Sequence, residues 1–255
     1  MDSIVAPIVL YIIIFLFGAV VGSFLNVCIL RIPAHESIVT GPSHCPKCGR
    51  RLKWYELVPV FSFLALGGKC SGCKGAISAQ YPLIEALNGV LWVLCSAVLG
   101  FAPHTVLACL LVSALIIVFV IDWRTMEIPL GMSITILILG GLAAALDHEN
   151  LTAHIVGLFA VSLPLYLVFL LTRGRGIGGG DIKLMAGCGL FLGWKLVVLG
   201  FFLGCVIGTI VHLSLMAGKK ASRTLAFGPY LAVGMVLAML WGDRLITWYL
   251  GLFLG

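Results

Sequence analysis

Charge is what this chain has least of. Asp, Glu, Lys and Arg make up 10% of the 255 residues and hydrophobic residues 61%, against the roughly 25% charged and 45–50% apolar of a soluble domain. That balance excludes an ordinary soluble fold and leaves a polytopic membrane protein. Only ten residues are carboxylates, so each acid at membrane depth calls for a reason. A basic n-region is also missing before the first apolar stretch, Ile4 to Leu30. At about 27 residues that stretch reads as a spanning helix and not as a cleavable signal. No internal repeat and no low-complexity linker divides the chain.

Further apolar runs of spanning length cover residues 82–101, 105–121, 128–146, 153–171, 195–216 and 229–250. A shorter run, 184–193, follows Asp181 directly. At ~1.5 Å per residue it reaches only about 18 Å of a ~30 Å hydrocarbon core, so it crosses only by starting inside the bilayer. With that crossing the fold expected is all-α, about eight transmembrane helices and one polar loop at 31–80. All of the 16 Lys and Arg residues except Lys195 and Arg244 then fall on one side. The positive-inside rule makes that side cytoplasmic and places both termini outside. Without the short crossing, Lys219, Lys220 and Arg223 change sides. The formal charge of +6 is thus a topology signal, and no nucleic-acid partner is expected.

Two acids end apolar runs on this cytoplasmic side. Asp181 closes Gly176-Ile177-Gly178-Gly179-Gly180-Asp181-Ile182-Lys183, where glycines allow a tight turn and close approach of a substrate backbone. Asp122 lies in Val120-Ile121-Asp122-Trp123-Arg124. An unpaired charge at membrane depth costs at least ~2.5 kcal/mol; two on one side read as a catalytic pair. Such a pair shares a proton, activates water against a peptide carbonyl and protonates the leaving amine. Proton relay in a transporter is the competing use, and an interfacial pairing of Asp122 with Arg124 the structural one. Gly174 to Gly179 also fits G-x-G-x-x-G, but a spanning helix precedes it where a dinucleotide site needs a strand.

The 31–80 loop carries Cys45-Pro46-Lys47-Cys48 and Cys70-Ser71-Gly72-Cys73, with 21 residues between the knuckles. Four thiolates at that spacing suit tetrahedral Zn²⁺, and about 50 residues hold little core without such a staple. Redox use of the two pairs is the rival; a reducing cytoplasm opposes it. His44 is a spare ligand beside a complete set. Cys28, Cys95, Cys109, Cys188 and Cys205 stand singly in helices as packing residues. Gly22, Ser23 and Asn26 offer a packing face or a pocket lining. Glu85, one turn into its helix, either snorkels or serves a buried polar site. Phe227-Gly228-Pro229-Tyr230 reads as a turn into the last helix, with lining of the same cavity as the rival reading.

In order along the chain, these motifs resemble the type IV prepilin peptidases, bifunctional leader peptidases and N-methyltransferases with a GxGD aspartyl site. The resemblance rests on 22–27 (GSFLNV), 42–48 (PSHCPKC), 54–60 (WYELVPV), 67–73 (GGKCSGC), Ile121-Asp122 with Ile128-Pro129, and 178–183 (GGGDIK). Leu130 departs from it, standing where many members carry an aspartate. The resemblance implies cleavage of a basic leader from prepilins or type II secretion pseudopilins at the cytoplasmic face of a bacterial inner membrane. It also implies methylation of the new N-terminus with S-adenosylmethionine as donor. Asp122 and Asp181 inherit the catalytic role, with Gly178, Gly180 and Lys183 in the active-site loop. Residues 1–100, with the 31–80 segment, are expected to carry methyl transfer and 101–255 to form the peptidase. Asn26, Arg31, Glu36 and Glu85 are candidate methyl-donor contacts, as polar groups near the membrane face of the loop. Oligomeric state is not legible.

Overall fold

The computed structural model of the protein describes residues 2–217 and 226–254, and Lys219, Lys220 and Arg223 lie outside the described residues. The fold is all-helical: α1 (Asp2–Arg31), a 3₁₀ turn (Trp54–Leu57), α2 (Phe61–Ala65), α3 (Gln80–Leu99), α4 (Pro103–Thr125), α5 (Leu130–Leu146), α6 (Leu151–Ala160), α7 (Ser162–Leu171), α8 (Gly179–Ala217) and α9 (Gly228–Leu254). The chain divides into two compact units, Met1–Gly100 and Phe101–Gly255.

In the first unit, α1 and α3 pack antiparallel because facing glycines remove the side chains between them. A Cβ on Gly18 would lie 2.8 Å from the Gly89 Cα, and one on Gly22 2.7 Å from the Glu85 Cα. Asn88 Nδ2 donates to Gly18 O at 2.7 Å across the same seam. This small-residue contact with an interhelical hydrogen bond is how helices associate in lipid, where burial alone drives little. Between the two helices the loop folds into two matching knuckles. In each, the amide of the first cysteine, Cys45 or Cys70, donates to a carbonyl five residues on, Arg50 O or Gly75 O, both at 2.9 Å.

In the second unit α4 is the buried centre, with Leu111, Val112 and Val118 fully enclosed. The long α8 is two arms: Gly193 has φ 76° and ψ 169° inside it, a conformation open to glycine. The first arm runs parallel to α5, since Gly187 abuts Ile136 and Leu137 while Gly140 abuts Leu190. The second runs antiparallel to α9, since Gly200 abuts Met235 and Gly204 abuts Leu231. Both α5 and α9 leave from one end, where Ile128 meets Gly228. The chain therefore reverses at Gly193, and the short segment crosses as its own helix.

Among the described residues six helices are long and apolar enough to cross a membrane, the 38-residue Gly179–Met216 among them, and Leu130–Leu146 is a shorter apolar one. With the reversal at Gly193 the crossings number about eight, as expected. The run read as one span over 153–171 is broken into α6 and α7. Pro164 explains the break: it has no N–H for the Ala160 carbonyl, and its ring crowds that carbonyl.

Candidate active sites

Asp122 sits in the last turn of α4. The helix ends there because Met126 turns left-handed (φ 56°) and its N–H returns to Asp122 O at 2.8 Å. The carboxylate is buried, 4% exposed, and its Oδ2 accepts the Gly228 N–H at 2.9 Å. Gly228 begins α9, so its amide is one of the donors a helix start leaves unpaired, at the positive end of the helix dipole.

Asp181 lies in the first turn of α8, half-buried, with the Gly178 amide donating to its carboxylate. Ile128 joins the two acids. A Cβ on Gly180 would stand 2.9 Å from Ile128 Cβ, and one on Gly228 3.2 Å from Ile128 Cδ1. A Cβ on Gly178 would stand 3.1 Å from Asp181 Oδ2 and one on Gly228 2.7 Å from Asp122 Oδ2, so the two acids flank this residue. The arrangement is two carboxylates, each held by a backbone amide, at the same end of α4, α8 and α9. Gly178 and Gly180 lie against this pair, whereas Lys183 is exposed; two residues on from Asp181, it falls on a different helix face. Gly228, in the turn whose rival reading lined the same cavity, supplies the amide that holds Asp122.

In the first unit a cavity of about 460 Å³ takes in Asn26, Arg31, Glu36 and Glu85 together, with Glu56, Phe63 and Tyr81 on its walls. Glu85 is buried, and its Oε2 accepts the Val60 N–H at 2.8 Å. Asn26 donates to Tyr81 O at 3.2 Å and accepts from Gln80 Nε2 at 3.3 Å, so it serves both packing and lining. The Arg31 guanidinium holds the loop's backbone, Nη1 reaching Ser37 O and Thr40 O at 2.9 Å each. Glu36 stands exposed at the rim.

The four cysteine sulfurs all lie within 4.8 Å of one another, Cys45 Sγ and Cys73 Sγ at 4.0 Å. Bonds of about 2.3 Å in tetrahedral directions need sulfurs roughly 3.8 Å apart, so the set fits Zn²⁺. Amides of Cys73 and Gly72 pointing at Cys70 Sγ pull that thiol down to about 6, which favours the thiolate a metal binds. His44 stays outside the set, its Nδ1 3.4 Å from Pro42 O.

Glu56 is the residue the loop hid. Buried beside the knuckles, it accepts from Arg50 Nη2 at 2.7 Å, from the Lys53 N–H at 2.8 Å and from the Ser71 hydroxyl. It thereby ties the two knuckles together. The Arg50 hydrogen bond first, then the Lys53 amide, hold its carboxyl down at about 2.

Comparison with known proteins identifies the family. Residues 16–99 match the model described as Bacterial Peptidase A24 N-terminal domain, and residues 109–213 the Type IV leader peptidase family. A prepilin leader peptidase/N-methyltransferase of Bacillus subtilis is 38% identical over 248 residues, covering 95% of this chain and 99% of its own. Proteins of the same name from Aeromonas salmonicida and Pseudomonas aeruginosa are each 33% identical, over 96% and 92% of this chain and 95% and 91% of theirs. No solved structure matches the chain. With relatives this similar along nearly its whole length, the chain belongs to the type IV leader peptidase family, as its motifs implied.

Proposed function

We propose that the protein is a bifunctional membrane enzyme that removes the basic leader from prepilins or type II secretion pseudopilins and methylates the new N-terminal amine. The observation that carries the peptidase reading is the meeting of Asp122 and Asp181 around Ile128, each acid anchored by one backbone amide. The pair acts as a unit. One carboxylate takes a proton from water as the oxygen attacks the scissile carbonyl, and the other gives its proton to the departing amine. No covalent intermediate is needed. Gly178 and Gly180 leave room for the substrate backbone beside the acids; Lys183 faces away as a surface cation.

Methyl transfer belongs to residues 1–100 in this reading, and the peptidase to 101–255. The cavity has the volume of a small-molecule site and gathers polar groups on an apolar wall. Asn26, Arg31, Glu36 and Glu85 would hold S-adenosylmethionine there, which supplies a methyl group on a cationic sulfonium that the carboxylates attract. Glu85 is the fixed anchor, since Val60 holds it. Cys45, Cys48, Cys70 and Cys73 would hold a structural Zn²⁺ under the cavity. The excess of Lys and Arg on one side supports a bacterial inner-membrane protein with both termini outside and both sites cytoplasmic.

The test is cleavage of a precursor by purified protein in liposomes, with Asp122→Asn and Asp181→Asn variants, and mass spectrometry of the product with and without S-adenosylmethionine. Both substitutions should stop cleavage, and the mass should rise by methyl only with the donor. Cleavage that survives either change would remove the dyad and favour a proton relay in transport.

A further inference from the structure

The stretch from Trp54 to Leu64 has its polarity inside out. Its acid, Glu56, is buried, and Ser62 turns towards the cavity. Five of its large apolar groups point outwards: Trp54 is 79% exposed and Leu64 67%, with Tyr55, Val58 and Phe61 also exposed. A patch of this kind on a polar loop marks a surface made to be covered.

Two observations identify the cover. The first is depth. Phe61 N–H returns to Pro59 O at 2.6 Å across Val60, which has φ 62° and ψ −52°, the strained γ-turn that a β-branched residue rarely adopts. The amide of that same Val60 is bonded to Glu85. Glu85 is the sixth residue of spanning helix α3, roughly 8 Å along it from its start. The tip of the stretch is therefore tied to α3 within its first two turns, near the end at which this helix enters the bilayer. On α3 itself, Leu83 is 66% exposed, so the apolar surface continues onto a lipid-facing helix.

The second is charge. Around the patch Arg51, Lys53, Lys69 and Lys74 are exposed, Lys53 lying over the Tyr55 ring. From residue 37 to residue 84 the only carboxylate is Glu56, which is buried. Aromatic residues with one polar edge, fringed by cations and free of exposed acids, suit the anionic membrane interface.

We propose that residues 54–64 seat their outer face in the headgroup–acyl boundary of the bilayer, making this part of the loop an interfacial wedge and not a free cytoplasmic surface. Leu57, Phe63 and Leu66 line the cavity from inside, so lipid backs one wall of it.

The test uses the full chain in phosphatidylcholine–phosphatidylglycerol vesicles. Six tryptophans are present, so the Trp54 signal is the difference between the native protein and Trp54→Phe. It should be blue-shifted, largely lost when the acyl chains are brominated near the headgroup, and insensitive to aqueous iodide. A Trp54→Phe, Leu64→Trp protein moves the probe along the face and should behave alike, which guards against a local effect of the first substitution. Quenching by iodide without quenching by bromine would overturn the proposal. So would shielding from both quenchers that ends on dilution into excess lipid, which would assign the face to a second copy, or shielding that appears only with a precursor, which would assign it to substrate.

Discussion

A Cβ at position 228 would stand 2.7 Å from Asp122 Oδ2, so Gly228 is as much part of the acid pair as the acids. Gly228→Ala should cut cleavage by roughly 10- to 100-fold while leaving methyl transfer of a pre-cleaved pilin within about twofold, because the carboxylate must move from its amide donor. Initial rates of both reactions on one preparation check this. Glu56 gives a pH signature. Its carboxyl titrates at about 2 in place of the ordinary 4.5, chiefly through Arg50. A lowered folded value stabilises the fold fully above 4.5 and is lost as pH falls through 2. Glu56→Gln should be less stable than the native protein above pH 4.5, with the gap closing between pH 4.5 and 2. Proteolysis of the knuckle segment against pH reads it; zinc release in acid is common to both proteins, so the difference reports Glu56. Asp122, Asp181 and the cysteines are legible in sequence because a lone acid ending an apolar run, or a paired thiol, is itself the anomaly. Gly228 is less so: its segment reads as helix initiation, and neither the amide it gives Asp122 nor the space its missing Cβ leaves there shows in the sequence. Glu56 is hidden because an acid in a polar loop looks ordinary until its three donors are seen.

Among the helices, glycines decide who touches whom. Gly157 and Gly189 face each other so closely that a Cβ on either would run into the other's carbonyl. Gly189→Ala should therefore part α6 from the first arm of α8 and destabilise the second unit by roughly 1–3 kcal/mol, read as a lowered thermal midpoint in detergent. The loss of cleavage should follow the loss of fold. The spans themselves are legible from the apolar runs, and the short crossing from its length and the basic loops. The break between α6 and α7 is not, because Leu, Val and Phe on both sides of Pro164 keep the run continuous in composition while proline interrupts only the hydrogen bonds.

For the whole molecule, the two units are contiguous stretches of chain, and the cysteine cluster lies in the first with the cavity of about 460 Å³. Stripping zinc with a chelator should abolish the methyl mass gain and leave cleavage within about twofold, since binding at such clusters is itself folding energy for the loop. Mass spectrometry of products before and after zinc is restored measures both. The reversal at Gly193 has a geometric consequence as well. Asp181 stands twelve residues before the turn, about 18 Å of helix, and this distance cannot stretch. The first arm of α8 is thus a rigid spacer that fixes how far Asp181 lies from the reversal.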